Sequence, residues 1–130
     1  MICLDSSFLI DVLNNKESAI KKLKEIKDEK AIATSISEYE LLNGAYLKNY
    51  SKVKIENIVS LFNGIQVYFF DSNAALIASR IYSELIKEGK EIDDRDCMIA
   101  GIAISNGCKE IITKNTKHFE RINGIKAVSY

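Results

Sequence analysis

Short apolar runs alternate along the chain with longer segments whose apolar residues recur every three or four positions. The runs "MICLD" (1–5), "AIATS" (31–35), "IQVYFFD" (65–71) and "KEIIT" (109–113) read as strands, and "IKAVSY" (125–130) as a terminal fifth. Helical spacing fills the gaps. Phe8, Leu9, Val12 and Leu13 make a stripe in 6–15, with Ser6 as its cap; Ile20, Leu23 and Ile26 make one in 16–30. Leu41, Leu42, Ala45 and Tyr46 are expected inside a helix over 36–50. Val53, Ile55, Ile58, Val59 and Phe62 mark the next, which Gly64 ends. Ala74, Ile77, Ala78, Ile81, Tyr82 and Leu85 stay in phase through the longest, ending at Gly89. Further helices are expected over 93–106 and 115–122.

Strands that are apolar throughout, each followed by a helix, predict an α/β fold. Its central parallel sheet has four to five strands and helices on both faces. At 130 residues the chain is the length of one domain, 1–130, with no linker or repeat.

Composition narrows the class. Hydrophobic residues are 47% and charged residues 28%, as in a globular chain. Lys plus Arg and Asp plus Glu both total 18, so net charge points to no particular partner. Cys3, Cys97 and Cys108 are scattered and odd in number, which predicts reduced, buried thiols and a cytoplasmic protein. The N-terminus lacks a basic leader, and no apolar run approaches a membrane span. The single histidine, His118, has no Cys or Asp set beside it to make a zinc site.

In open α/β sheets, sites form beyond the carboxyl ends of the strands. Asp5, Asp71, Thr113 and Asn115 fall there, with Glu38 and Glu40 after strand two, while Asp93, Asp94 and Asp96 open the helix "DDRDCMIAGIAI". Carboxylates that converge need a shared cation, and oxygen ligands suit Mg²⁺ or Mn²⁺. Water attacking phosphorus is the reaction that suits such a centre. Helix capping competes for the same acids: Asp93 with Asp96, Ser35 with Glu38 and Ser37 with Glu40 all have capping spacing. Helical phase separates them. Asp96 shares a face with Ala100 and Ala103, and Glu40 with Gly44, whose small side chains allow close approach to the sheet. Asp94 and Glu38 point elsewhere.

The segments "LDSSFLID", "YELLNGA", "DCMIAGIAISNG" and "ITKNTKHFERI", in that order to about residue 122, resemble the PIN domain. The likeness is to the VapC-type toxins of toxin–antitoxin pairs. The resemblance implies a Mg²⁺-dependent endoribonuclease, with Mn²⁺ as an alternative ion. It puts the catalytic acids at Asp5, Glu40 and Asp96, of which Asp5 and Asp96 bind metal and Glu40 can join them. Ser7, Thr113 and Asn115 are the supporting polar groups. Asn115 is neutral where more acidic members carry a further acid, so one tightly held ion is expected. Arg95, Lys114 and Lys117 are the nearby cations for RNA phosphates. The implied partners are RNA, a small cognate antitoxin and a second copy of the chain, with the alanine-bearing helix over 73–89 as a candidate interface. An RNA-maturation nuclease or a non-catalytic PIN-like binding module are the alternatives. A receiver domain would need paired acids after strand one, and a dehalogenase-type phosphatase a second Asp where Ser7 stands.

Overall fold

The computed structural model describes residues 1–49 and 51–130. In chain order the elements are β1 (Ile2–Leu4), α1 (Ser6–Leu13), α2 (Glu17–Glu25), β2 (Ala31–Thr34), α3 (Ser35–Leu47) and α4 (Lys52–Asn63). There follow β3 (Gln66–Tyr68), α5 (Ser72–Lys87), α6 (Asp94–Ser105), β4 (Glu110–Ile112), α7 (Thr116–Phe119) and β5 (Lys126–Val128). The sheet is parallel throughout, in the order β3-β2-β1-β4-β5, as the alternation of runs predicts.

Successive strand residues point to opposite faces, so each strand feeds two cores. Cys3, Ile32 and Ile111 pack with α5, α6 and α7 through Ile81, Leu85, Ile99, Ala103 and Phe119. Ile2, Leu4, Ala33 and Ile112 face the other way, onto Phe8, Leu9, Leu41, Ile58 and Phe62 of α1, α3 and α4. Burial on both sides is why the strands carry no polar alternation. All three cysteines are free and buried in the first of these cores. Among the described residues no helix is long and apolar enough to cross a membrane.

Several local expectations give way. β3 stops at Tyr68, and Phe69 and Phe70 lie exposed. Leu23, Tyr46, Val53 and Val59, all expected inside, are exposed, because the stripes of these surface helices are narrower than periodicity suggested. α3 ends at Leu47, and the expected end of that helix at Tyr50 lies outside the described residues. Ser6 is the first residue of α1, with Asp5 at the cap position. Neither expected capping box forms on α3. Thr34 caps it instead, accepting from the Ser37 amide.

Ala74 and Ala78 are spent inside the molecule rather than on an interface. α5 crosses α6 at Gly101, where an added Cβ would stand 2.6 Å from the Ala74 carbonyl oxygen and 2.9 Å from the Ala78 Cβ. That contact seats α6, and with it Asp96, against the rest of the fold.

Candidate active site

The chain runs from β1 outward to β2 and β3 on one side of the sheet, and from β4 to β5 on the other. In sheets of this kind the ligand crevice lies where those directions part, beyond the carboxyl ends of β1 and β4. Leu4 is in register with Ile112, and the Asp5 amide donates to the Ile112 carbonyl at 3.0 Å. Asp5 and Thr113 therefore leave the sheet side by side.

Asp5 is only 1% exposed, and its side chain makes no helix-capping hydrogen bond. Its Oδ2 accepts from Thr113 Oγ1 at 2.7 Å and from Ser7 Oγ at 3.0 Å. Each hydroxyl in turn accepts a backbone amide: Asn115 N–H to Thr113 Oγ1 at 2.9 Å, and Lys114 N–H to Ser7 Oγ at 3.0 Å. Each has a single proton to give, and each gives it to Asp5. The 3.3 Å contact between the two hydroxyls is then a contact of acceptors.

The other two expected acids reach the same crevice. Glu40, on α3, accepts from Ser6 Oγ at 3.2 Å and lies 3.8 Å from the Arg95 guanidinium. Ser6 Oγ also stands 3.5 Å from Asp5 Oδ1, so this hydroxyl sits between two carboxylates. Asp96, in the first turn of α6, is 9% exposed, and its Oδ2 is 2.8 Å from His118 Nδ1. Asp93 caps α6 through the Arg95 amide at 2.8 Å, as expected, and Asp94 is exposed. Glu38 lies in the first turn of α3, apart from these contacts.

The electrostatics show that the acids sense one another. Burial pushes the Asp5 carboxyl up; the Thr113 and Ser7 hydroxyls oppose it and the Asp96 charge adds to it. Burial and then the Asp5 charge raise Glu40, against Ser6 and Arg95. Burial raises Asp96, against the His118 hydrogen bond. All three are raised from the ordinary carboxylate value, chiefly by burial, which outweighs the neighbouring hydroxyls and cations.

This donor set suits a hard divalent cation: it is all oxygen, partly buried and mutually repulsive. Among the described residues no three acids, histidines or cysteines close into a ready ligand cage. The fit is therefore to an ion held by one or two carboxylates that keeps water in its other positions, as Mg²⁺ usually does.

Some expected participants are differently used. Asn115 is exposed and serves through its main-chain amide. Arg95 is engaged by Glu40 and Asp93, and Lys114 Nζ sits 2.9 Å from Asp11. Lys117 is exposed and makes no ion pair among the described residues. Sequence reasoning overlooked Asp11, which is buried and accepts from Tyr130 at 2.8 Å as well as from Lys114 and Lys16. It also set His118 aside by asking only whether it anchors zinc. Its place three residues beyond Asn115, after a site-bearing strand, was the available signal.

Comparison with known proteins gives the family of the chain. The PIN domain family model matches residues 2–125. A tRNA(fMet)-specific endonuclease VapC from Shigella flexneri is 30% identical over 123 residues, covering 95% of this chain and 92% of that protein. Ribonuclease VapC1 from Methanocaldococcus jannaschii is 31% identical over 123 residues, covering 93% and 80%. A DNA-bound VapBC structure from Salmonella typhimurium superposes with a TM-score of 0.87 at 28% identity, over 98% of this chain and 96% of that one.

Proposed function

Because the chain belongs to the PIN domain family, we propose that it is a metal-dependent endoribonuclease and the toxin of a VapBC-type toxin–antitoxin pair. The observation that carries the reading is the convergence of Asp5, Glu40 and Asp96. Three separate elements bring them to the strand-end crevice, where each raises or feels the charge of another. Burying charge is costly, and Asp5 and Asp96 are buried and Glu40 half-buried, which supports a catalytic use over a non-catalytic binding module.

Asp5 and Asp96 are the residues proposed to hold the ion, Mg²⁺ or Mn²⁺, with Glu40 joining them or orienting the attacking water. When bound, the ion supplies Lewis-acid activation of water and neutralises charge developing on the phosphate. The chain's own groups do the rest. Ser7 and Thr113 favour the ionised form of Asp5 and fix its direction. Ser6 and Arg95 hold Glu40, whose remaining acceptor capacity takes a proton of the water that attacks phosphorus. Of the three cations named for RNA, Lys117 makes no ion pair among the described residues and suits a backbone phosphate.

The relatives named for tRNA(fMet) make that RNA the first substrate to assay. A small cognate antitoxin is the proposed partner, by analogy with the VapBC assemblies. A homodimer is the proposed unit. Exposed Phe69 and Leu76, on either side of the α5 N-terminus, offer apolar surface for it. The three reduced thiols accord with action in the cytoplasm.

The test is cleavage of tRNA(fMet) and total RNA by purified protein with Mg²⁺ or Mn²⁺. Activity is expected to vanish in excess EDTA and to fall at least about a hundredfold in Asp5→Asn and Asp96→Asn, the scale of losing charge stabilisation at a reacting centre. Undiminished cleavage by Asp5→Asn rules out the assignment.

A further inference from the structure

We propose that His118 is a positioning residue for the metal centre: its Nδ1–H holds one oxygen of Asp96 and so aims the other at the ion. This rests on the reading of Asp5 and Asp96 as the cation-holding pair.

The geometry is direct. Asp96 Oδ2 and His118 Nδ1 are 2.8 Å apart across two elements, α6 and α7. A carboxylate only accepts, so the proton of the bond sits on Nδ1. Asp93 accepts the Asp96 main-chain amide, and Arg95 acts through its charge; among the described residues His118 alone hydrogen-bonds the Asp96 side chain.

The bond has a counterpart at the other acid. Asp5 Oδ2 is bound by Thr113 and Ser7, and Oδ1 meets only the longer 3.5 Å approach of Ser6 Oγ among the described residues. One six-residue segment, 113–118, thus engages a single oxygen of each acid, Thr113 on Asp5 and His118 on Asp96. The two carboxylates repel each other, which favours a turn of the Asp96 side chain, in the first turn of α6, away from Asp5. His118 opposes that turn. Groups that hydrogen-bond metal ligands orient them in this way, and their loss typically weakens metal affinity about 10–100-fold.

The histidine side chain is 45% exposed and lies outside both cores, so its removal spares the fold. Two replacements dissect the ring. Asn puts an amide N–H where Nδ1 stands, two bonds from Cβ, whereas Gln puts it where Nε2 stands. Mn²⁺ binding to the full chain, followed by loss of the free-ion electron paramagnetic resonance signal, reads the effect without turnover. Melting temperature serves as the fold control.

His118→Ala is expected to weaken Mn²⁺ binding about tenfold or more at unchanged melting temperature, with His118→Asn within about threefold of wild type and His118→Gln like Ala. Wild-type affinity in His118→Ala overturns the proposal. So does rescue by Gln rather than Asn, which would make Nε2 the working atom, or equal weakness of Asn and Ala. Wild-type protein that binds no Mn²⁺ overturns the metal-centre reading itself, together with this inference. Loss of binding in Asp5→Asn alongside wild-type affinity in His118→Ala overturns the inference and leaves that reading intact.

Discussion

Thr113 Oγ1 lies 2.7 Å from Asp5 Oδ2, a hydrogen bond between residues 108 positions apart in sequence. Pairing of β1 with β4 makes them neighbours, and the bond points a proton at a carboxylate with almost no access to water. Thr113→Val keeps the shape and removes the donor. The expected cost is roughly 1.5–3 kcal/mol of stability at neutral pH, the worth of a hydrogen bond to a charged group, read by urea denaturation. Thr113 lowers the Asp5 pKa against burial, so its loss moves the acid limb of the pH–rate profile to higher pH. An unmoved limb would remove Thr113 from the control of Asp5.

The three raised acids predict how the metal-free protein responds to pH. A carboxyl whose folded pKa exceeds its unfolded value contributes stability below the unfolded pKa, and loses it as pH rises through the folded one. Asp5, Glu40 and Asp96 are all shifted this way. In EDTA their contribution is fully present below the ordinary carboxylate values, and it is lost as pH rises through their raised ones. Asp5→Asn should flatten that loss and melt higher than wild type at pH 7 without metal. Added Mn²⁺ should reverse the order by stabilising wild type alone. Thermal melts of both proteins across pH, with and without Mn²⁺, check all three statements.

Asp11 predicts the opposite slope. Burial raises its pKa, but hydrogen bonds from Lys114 and Tyr130 and the Lys114 charge outweigh burial and leave it lowered. Its contribution is present above the unfolded pKa and lost as pH falls through the folded one. Asp11→Asn should cost about 1–3 kcal/mol at pH 7 by removing the charge that Lys114, Lys16 and the partly buried Tyr130 hydrogen-bond, and the gap to wild type should close in acid. Tyr130, which bonds Asp11 and meets the Phe8 ring edge-on at 4.9 Å, should lose protection from proteolysis in the same variant.

Gly101→Ala tests the seating of α6. The new methyl would meet the Ala74 carbonyl oxygen at 2.6 Å, backbone that has no rotamer with which to give way. Overpacking of this kind costs about 1–3 kcal/mol, and pushing α6 from α5 displaces Asp96. A loss of stability on urea denaturation is expected together with a loss of nuclease activity. Retention of both would show that the two helices slide freely.

Some features depended on local chain alone. Apolar runs of strand length between amphipathic segments fixed a parallel sheet covered on two faces, because no other packing buries strands that are apolar on both sides. Asp93 was legible as a cap and Asp94 as peripheral, since helix phase and end effects act within a turn. Asp5, Glu40 and Asp96 could be named from their segments, as strand end, helix phase and resemblance pointed to the same residues.

What needed the tertiary structure was every relationship across the sheet. That Thr34 rather than a serine caps α3 depends on where β2 ends. The alanines of α5 are used against Gly101, because helix packing, not composition, decides which face is inner. His118 touches Asp96 only after α6 and the β4–α7 turn come together, and Asp11 collects Lys114 and Tyr130 from more than a hundred residues away. Periodicity reports which way a side chain points from its own element. Which partner stands there is set by strand order and helix seating, and those depend on the whole chain folding around two cores.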